Sequence, residues 1–313
     1  MSRKKARKER PLRADMTVSS ALGAILQESF NDLTRWESKA RSWDDIEGVH
    51  QMRVNARRLR SALWSFRSAV PKDVSLHWRE ELRWLASQLG DARDLDVFIA
   101  EGMTPARDQA ALAGRDELMA LAEQRRAAAY EVVGATLDSD RYAQFKRDFP
   151  DWFSARAWEQ MDLSEKQRKK LDIKIDTFAR KLLDRLAARV LETGKNLDKN
   201  DGEQMHQLRI ECKKLRYAAE FFGPIIPGLE AYIGHLKQLQ NVLGTLNDVS
   251  VMCSLLKELL AGQADPELFG YACAIVAGRT REGCTLLGSF EKRWQAFVKQ
   301  RPLKKRRGHG SDG

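Results

Sequence analysis

An all-α fold made of two similar halves, each a four-helix bundle, is what this sequence predicts, and three observations carry that reading. Helical periodicity runs through nearly the whole chain, and strand-like alternation is missing. The segment VHQMRVNARRLRSALWSF at 49–66 returns as MHQLRIECKKLRYAAEFF at 205–222, 156 residues later. A second pair, LRWLASQLGDARDLDVF at 82–98 and LKQLQNVLGTLNDVSVM at 236–252, recurs at an offset of 154. Spacing this long excludes a solenoid of small units, whose periods run about 20–50 residues.

Taken in order, apolar spacing and end signals place helices near 17–41, 45–70, 73–89, 91–101, 105–137 and 139–149 in the first half. The second half reads 164–194, 202–222, 227–243, 245–261, 266–287 and 288–299. Pro71, Pro105, Pro150, Pro224, Pro227 and Pro266 fall where they can start or end helices. Gly90 and Gly244 suit the left-handed residue that terminates a helix, with Asp91 or Thr245 capping the next one. Asp94 and Asp248 then lie in a first turn, where the helix dipole favours a carboxylate. The join between halves is expected at 151–163. The domain plan is therefore a basic tail at 1–15, a helical body at 16–300 with halves near 16–155 and 160–300, and a basic tail at 301–313. Both tails are expected to be disordered.

The 313 residues carry 54 Lys and Arg against 44 Asp and Glu, a net charge of +10 that favours polyanionic partners. No apolar run approaches the roughly 20 residues of a membrane span, and the basic N-terminus has no secretory hydrophobic stretch. A cytoplasmic protein without a membrane partner is the expectation. Cys212, Cys253, Cys273 and Cys284 form no CxxC pair and are read as buried small apolar residues in a reducing compartment.

The repeated segment has a definite geometry. At about 100° per residue, His50, Arg53, Arg57 and Arg60 fall within about 80° of one another. Met52, Ala56, Leu59, Ala62, Leu63 and Phe66 lie opposite, as do Leu208, Cys212, Leu215, Ala218, Ala219 and Phe222 in the second copy. One face packs into a core. The other presents a cationic row free of acids, with a histidine at its N-terminal end. His206, Arg209, Lys213 and Arg216 form the second row, and Arg58 and Lys214 flank the two. Arg83 and Lys237, matched in the second repeated element, are assigned to the same wall. Glu80, Glu81, Asp94, Glu220 and Asp248 are the acids expected to steady the cations from outside. Arginine forks and lysine point charges in rows are what an extended anion needs.

Three other chemistries fit less well. Single-strand nucleic-acid sites interleave stacking aromatics, which the cationic face lacks, so nucleic acid, RNA above all, is the alternative main partner or else a competitor ligand. A metal site at His50 and His206 is opposed by the surrounding arginines. No P-loop or nucleophile–base arrangement points to catalysis, and no cofactor is implied.

The pairing of HxxRVxxRRLR at His50 to Arg60 with LGxxRDxDV at Leu89 to Val97, and then HxxRIxxKKLRY at His206 to Tyr217, resembles the CHAD family, the conserved histidine α-helical domain. The resemblance covers roughly 16–300. It implies two pseudo-symmetric four-helix bundles around a basic central channel, binding of inorganic polyphosphate, and no catalysis by the domain. Members are often fused to a triphosphate tunnel metalloenzyme carrying an ExExK strand. That motif is missing here, so a stand-alone domain is expected. Polymer storage, targeting to polyphosphate granules and regulation of a partner enzyme all stay open, as does the oligomeric state.

Overall fold

The computed structural model describes residues 12–103, 113–199 and 201–300. Among them every regular element is helical, apart from one antiparallel bridge between Thr17 and Lys174. The tails 1–11 and 301–313, and the start of the helix expected from 105, lie outside the described residues. Leu12 is already buried, so the body begins before residue 16.

Helix α1 (Val18–Thr34) starts at Thr17, whose hydroxyl accepts from the Ser20 amide, and α2 (Glu37–Ser42) ends at a left-handed Trp43. The basic helix α3 (Glu47–Ser65) and α4 (Lys72–Gln88), which follows Pro71, form an antiparallel pair. Short α5 (Gly90–Val97) runs into a π-helical turn, Phe98–Gly102, and then come α6 (Arg115–Asp138) and α7 (Asp140–Ser154). The second half holds α8 (Glu165–Asp172), α9 (Ile175–Gly194), the second basic helix α10 (Gly202–Phe222), α11 (Leu229–Leu259), α12 (Pro266–Gly288) and α13 (Phe290–Val298). Asp201 caps α10 by accepting from the Glu203 and Gln204 amides at 2.9 and 3.1 Å. Asp265 likewise caps α12, with Pro266 in its first turn.

Several expected boundaries are corrected. The 17–41 helix breaks at Arg35 and Trp36. The 164–194 helix breaks at Ile173 and Lys174, which extend to pair with the start of α1 through Val18 N–H to Ile173 C=O at 3.0 Å and Ile175 N–H to Met16 C=O at 2.8 Å. Helix α7 continues through Pro150, because Phe149, Trp152 and Phe153 are held in an aromatic cluster with Phe30, Trp78 and Trp158. Neither Gly90 nor Gly244 is left-handed; positive φ among glycines occurs at Gly114, Gly228 and Gly262. Helix α11 passes straight through Gly244, and the Thr245 hydroxyl donates back to the Asn241 carbonyl at 2.9 Å instead of capping a new helix. The two matched elements therefore share sequence but differ in conformation. Three of the four cysteines, Cys253, Cys273 and Cys284, are exposed, and only Cys212 is buried.

The join at 151–163 is packed down. Arg156 is left-handed, and Trp158 is fully buried with its indole N–H donated to Ser19 at 2.8 Å. The main core is continuous across the halves: Phe66 at the end of α3 stacks on Phe178 of α9 (5.1 Å) and meets Phe222 of α10 (6.2 Å). A second core takes Phe98, Met103 and Leu118 from the first half and Met252, Leu268 and Tyr271 from the second. Inside it the Tyr271 hydroxyl donates to the Met103 carbonyl at 2.9 Å.

Candidate anion-binding site

Helices α3 and α10 pack against each other, and the two cores hold them on either side of a cleft of about 610 Å³. Helix α3 contributes His50, Arg53 and Arg57; α10 contributes Arg209 and Lys213. Arg93 and Asp94 come from α5, Asp248 from α11, and Arg279 and Glu282 from α12. Phe98 and Met252 belong both to the second core and to the cleft floor, so that core carries one wall of the site.

Cations from the two helices feel one another across the gap. Lys213 is half-buried and pushed down to about 8, first by burial and then by Arg209, Arg57 and Arg216, with Asp248 partly opposing. Burial lowers the Arg209 guanidinium and Arg57 adds to that, again against Asp248. Arg53 is lowered by burial and Arg57; it is anchored by donating to the Ala86 carbonyl of α4 at 2.8 Å. His50 is lowered by burial and then by Arg93, which keeps the imidazole neutral at neutral pH. It can therefore present one N–H to a ligand but adds no charge. Asp94 sits among Arg53, Arg57 and Arg93, yet burial pushes its carboxyl up. Together these groups form a half-desolvated pair of walls in which six cations stand among four carboxylates, Asp94, Glu101, Asp248 and Glu282. An anion entering it gains charge-assisted hydrogen bonds and relieves the mutual repulsion.

The CHAD-domain family model matches residues 24–257. This chain belongs to the CHAD family. It is similar to the crystal structure of the CHAD domain from the plant Ricinus communis, with 28% identity, a TM-score of 0.80, and coverage of 94% of this chain and 96% of that one. PptA from Streptomyces chartreusis shares the fold at 17% identity and a TM-score of 0.66, covering 89% of this chain and 99% of that one. Two uncharacterised Mycobacterium tuberculosis proteins, MT2285 of strain CDC 1551 and Rv2226 of strain H37Rv, are each 29% identical over 273 residues. The match takes in 82% of this chain and 50% of theirs, so the chain spans about half the length of the curated relatives it matches.

Within this CHAD domain, five of the residues assigned from sequence line the cleft: His50, Arg53, Arg57, Arg209 and Lys213. The others do not. Arg60 and Arg83 lie beyond it along α3 and α4, close enough to depress Arg60. Arg58 faces a separate hollow with Glu28, Asp32 and Glu220 and stacks on Phe221 at 5.6 Å. Lys214 is taken by the buried Glu211 at 2.7 Å. Arg216 and Lys237 share Glu220 at 3.8 and 3.7 Å. His206 is exposed and does not line the cleft, unlike its counterpart His50. Of the acids, Asp94, Asp248 and Glu220 stand beside the cations, whereas Glu81 is diverted to Arg141 at 2.9 and 3.0 Å. Arg93 and Arg279 escaped assignment. Arg93 had a signal, since it stands within the second matched element directly before Asp94; Arg279 lies outside both repeats and had none.

Proposed function

We propose that the cleft binds inorganic polyphosphate and that the domain does no chemistry on it. The observation that carries this reading is the meeting of Arg57, Arg209 and Lys213, cations from two repeated helices, across one partly desolvated gap. A polymer with a charge on every unit answers that arrangement, because many contacts of about 1.5–3 kcal/mol each sum along its length. Kinship with a family associated with polyphosphate supports the same ligand. Phe98, the aromatic ring in the lining, is buried in the second core and offers no stacking face, which disfavours single-stranded nucleic acid. Of the four cleft carboxylates, Asp94 and Asp248 are set against arginines and Glu282 accepts from Arg279 at 3.0 Å, an arrangement suited to holding cations in place rather than to acid–base work.

Isothermal calorimetry with long-chain polyphosphate, orthophosphate and single-stranded RNA at physiological salt tests this. Long-chain polyphosphate should bind at least a hundredfold more tightly than orthophosphate, through multivalency, and RNA should displace it only at a large excess of phosphate. The triple variant Arg57→Ala/Arg209→Ala/Lys213→Ala should lose most of the binding while keeping its helical circular dichroism. Wild-type affinity in that variant would place the ligand elsewhere.

A further inference from the structure

The cationic row of α3 does not stop at the cleft. Arg60, one turn past Arg57, is lowered by burial and then by Arg79, Arg83 and Arg57. Arg79 and Arg83 are themselves one turn apart on α4. Just beyond the end of α3, Arg67 is lowered by burial and then by Arg185, Arg79 and Arg189, with Glu211 partly opposing. Arg67 is held ready: its guanidinium lies 3.7 Å from the Trp64 ring centre and donates to the Trp64 carbonyl at 2.7 Å.

Arg67, Lys72, Arg79 and Arg185 line a groove of about 430 Å³ between α3, α4 and α9, with the serines at 68 and 75 beside them. Among the described residues no carboxylate lines this groove, and Arg60, Lys72, Arg79, Arg83 and Arg185 form no ion pair. Glu81 is engaged with Arg141; Glu211, which bonds Lys214, also lies 3.8 Å from Arg189 and is the acid that acts on Arg67. Cations that outnumber the carboxylates near them raise one another's energy, and an external polyanion relieves that. From Arg57 to Arg67 is about 15 Å at helical rise, a gap that Arg60, Arg83 and Arg79 fill.

We infer that this groove is a second anion station, and that one polyphosphate chain seated in the cleft continues over Arg60, Arg83 and Arg79 to reach it. The inference rests on the polyphosphate reading of the cleft. It requires that chains long enough to span both stations bind more tightly than chains that fill only the first.

The test compares tripolyphosphate with long-chain polyphosphate, by calorimetry on the full chain from 50 to 200 mM salt. In Arg67→Ala/Arg79→Ala/Arg185→Ala, tripolyphosphate affinity should stay within about twofold of wild type. Long-chain affinity should fall about tenfold or more, and the slope of log K against log salt should shrink by about 2 to 3. The double variant Lys72→Glu/Arg185→Glu, at two exposed positions, should give the same pattern without disturbing the Arg67–Trp64 contact. Unchanged long-chain affinity and slope in either folded variant overturns the second station and leaves the cleft standing. Parallel weakening for both ligands overturns it too, since the residues would then be acting on the cleft. A wild type that binds neither ligand removes the cleft reading and this one together. A greater loss for single-stranded RNA than for polyphosphate would assign the groove to nucleic acid, against the inference.

Discussion

Lys213 shows how a single side chain can make the site sensitive to pH. Burial and the neighbouring arginines bring it to about 8 from 10.5, so a growing fraction is neutral as pH rises past 8. A bound polyanion favours the charged form. Affinity for polyphosphate should therefore fall between pH 7 and 9, and Lys213→Arg, which keeps its charge, should flatten that decline in a calorimetric pH series. Apo stability moves the opposite way. The unfolded chain holds this proton up to about 10.5 and the folded one releases it near 8, so stability should rise with pH across that window. Arg53 has a different character: its bond to the Ala86 carbonyl ties α3 to α4. Arg53→Ala should cost about 1–3 kcal/mol in urea unfolding as well as weaken binding. Much of this was legible in sequence, since helical phase alone puts His50, Arg53 and Arg57 on one face. Phase also allows Lys214 to meet Glu211 and Arg216 to meet Glu220, as i,i+3 and i,i+4 pairs within α10; what it could not show is that Lys237 of α11 reaches the same Glu220, a contact between helices set by packing.

At the scale of elements, the matched segments around Gly90 and Gly244 show one pattern folded two ways. In the first copy α4 ends at Leu89 and α5 begins; in the second the helix runs on from Leu229 to Leu259. Gly244 thus occupies a helix interior with room to spare, the nearest contact for an added methyl being Asp248 Oδ2 at 3.7 Å. Gly244→Ala should stabilise the protein by about 0.5–1 kcal/mol. Gly194, the last residue of α9, is the reverse case: an added Cβ would overlap the Trp294 ring. Gly194→Ala should cost about 1–3 kcal/mol through overpacking. Thermal unfolding of the two variants separates the cases, and a destabilised Gly244→Ala would contradict the continuous α11.

For the molecule as a whole, the sequence suggests two bundles side by side, but the packing binds the halves into one body. Phe66 stacks across to Phe178, the start of α1 pairs with Lys174, and the second core is built from both halves. Leu268, fully buried, belongs to the same core as Phe98 and Met103 of the first half. Leu268→Ala should cost about 2–5 kcal/mol and weaken polyphosphate binding, because Phe98 and Met252 of the same core floor the cleft. Calorimetry should show one cooperative transition for wild type; two resolved transitions would mean that the halves fold separately.

By itself the sequence determined the all-helical class, the duplicated basic helices, the apolar face on each and the family, because these are local or repeated patterns read from spacing and residue type. Only the tertiary structure decided which half of each row faces the cleft. It set His50 into the site and left His206 at the surface, brought Arg93 and Arg279 in from other helices, and carried the row on toward Arg67 and Arg185. The physical reason is that charge–charge proximity between helices depends on crossing geometry and on where the large apolar side chains lodge. Helical phase specifies neither.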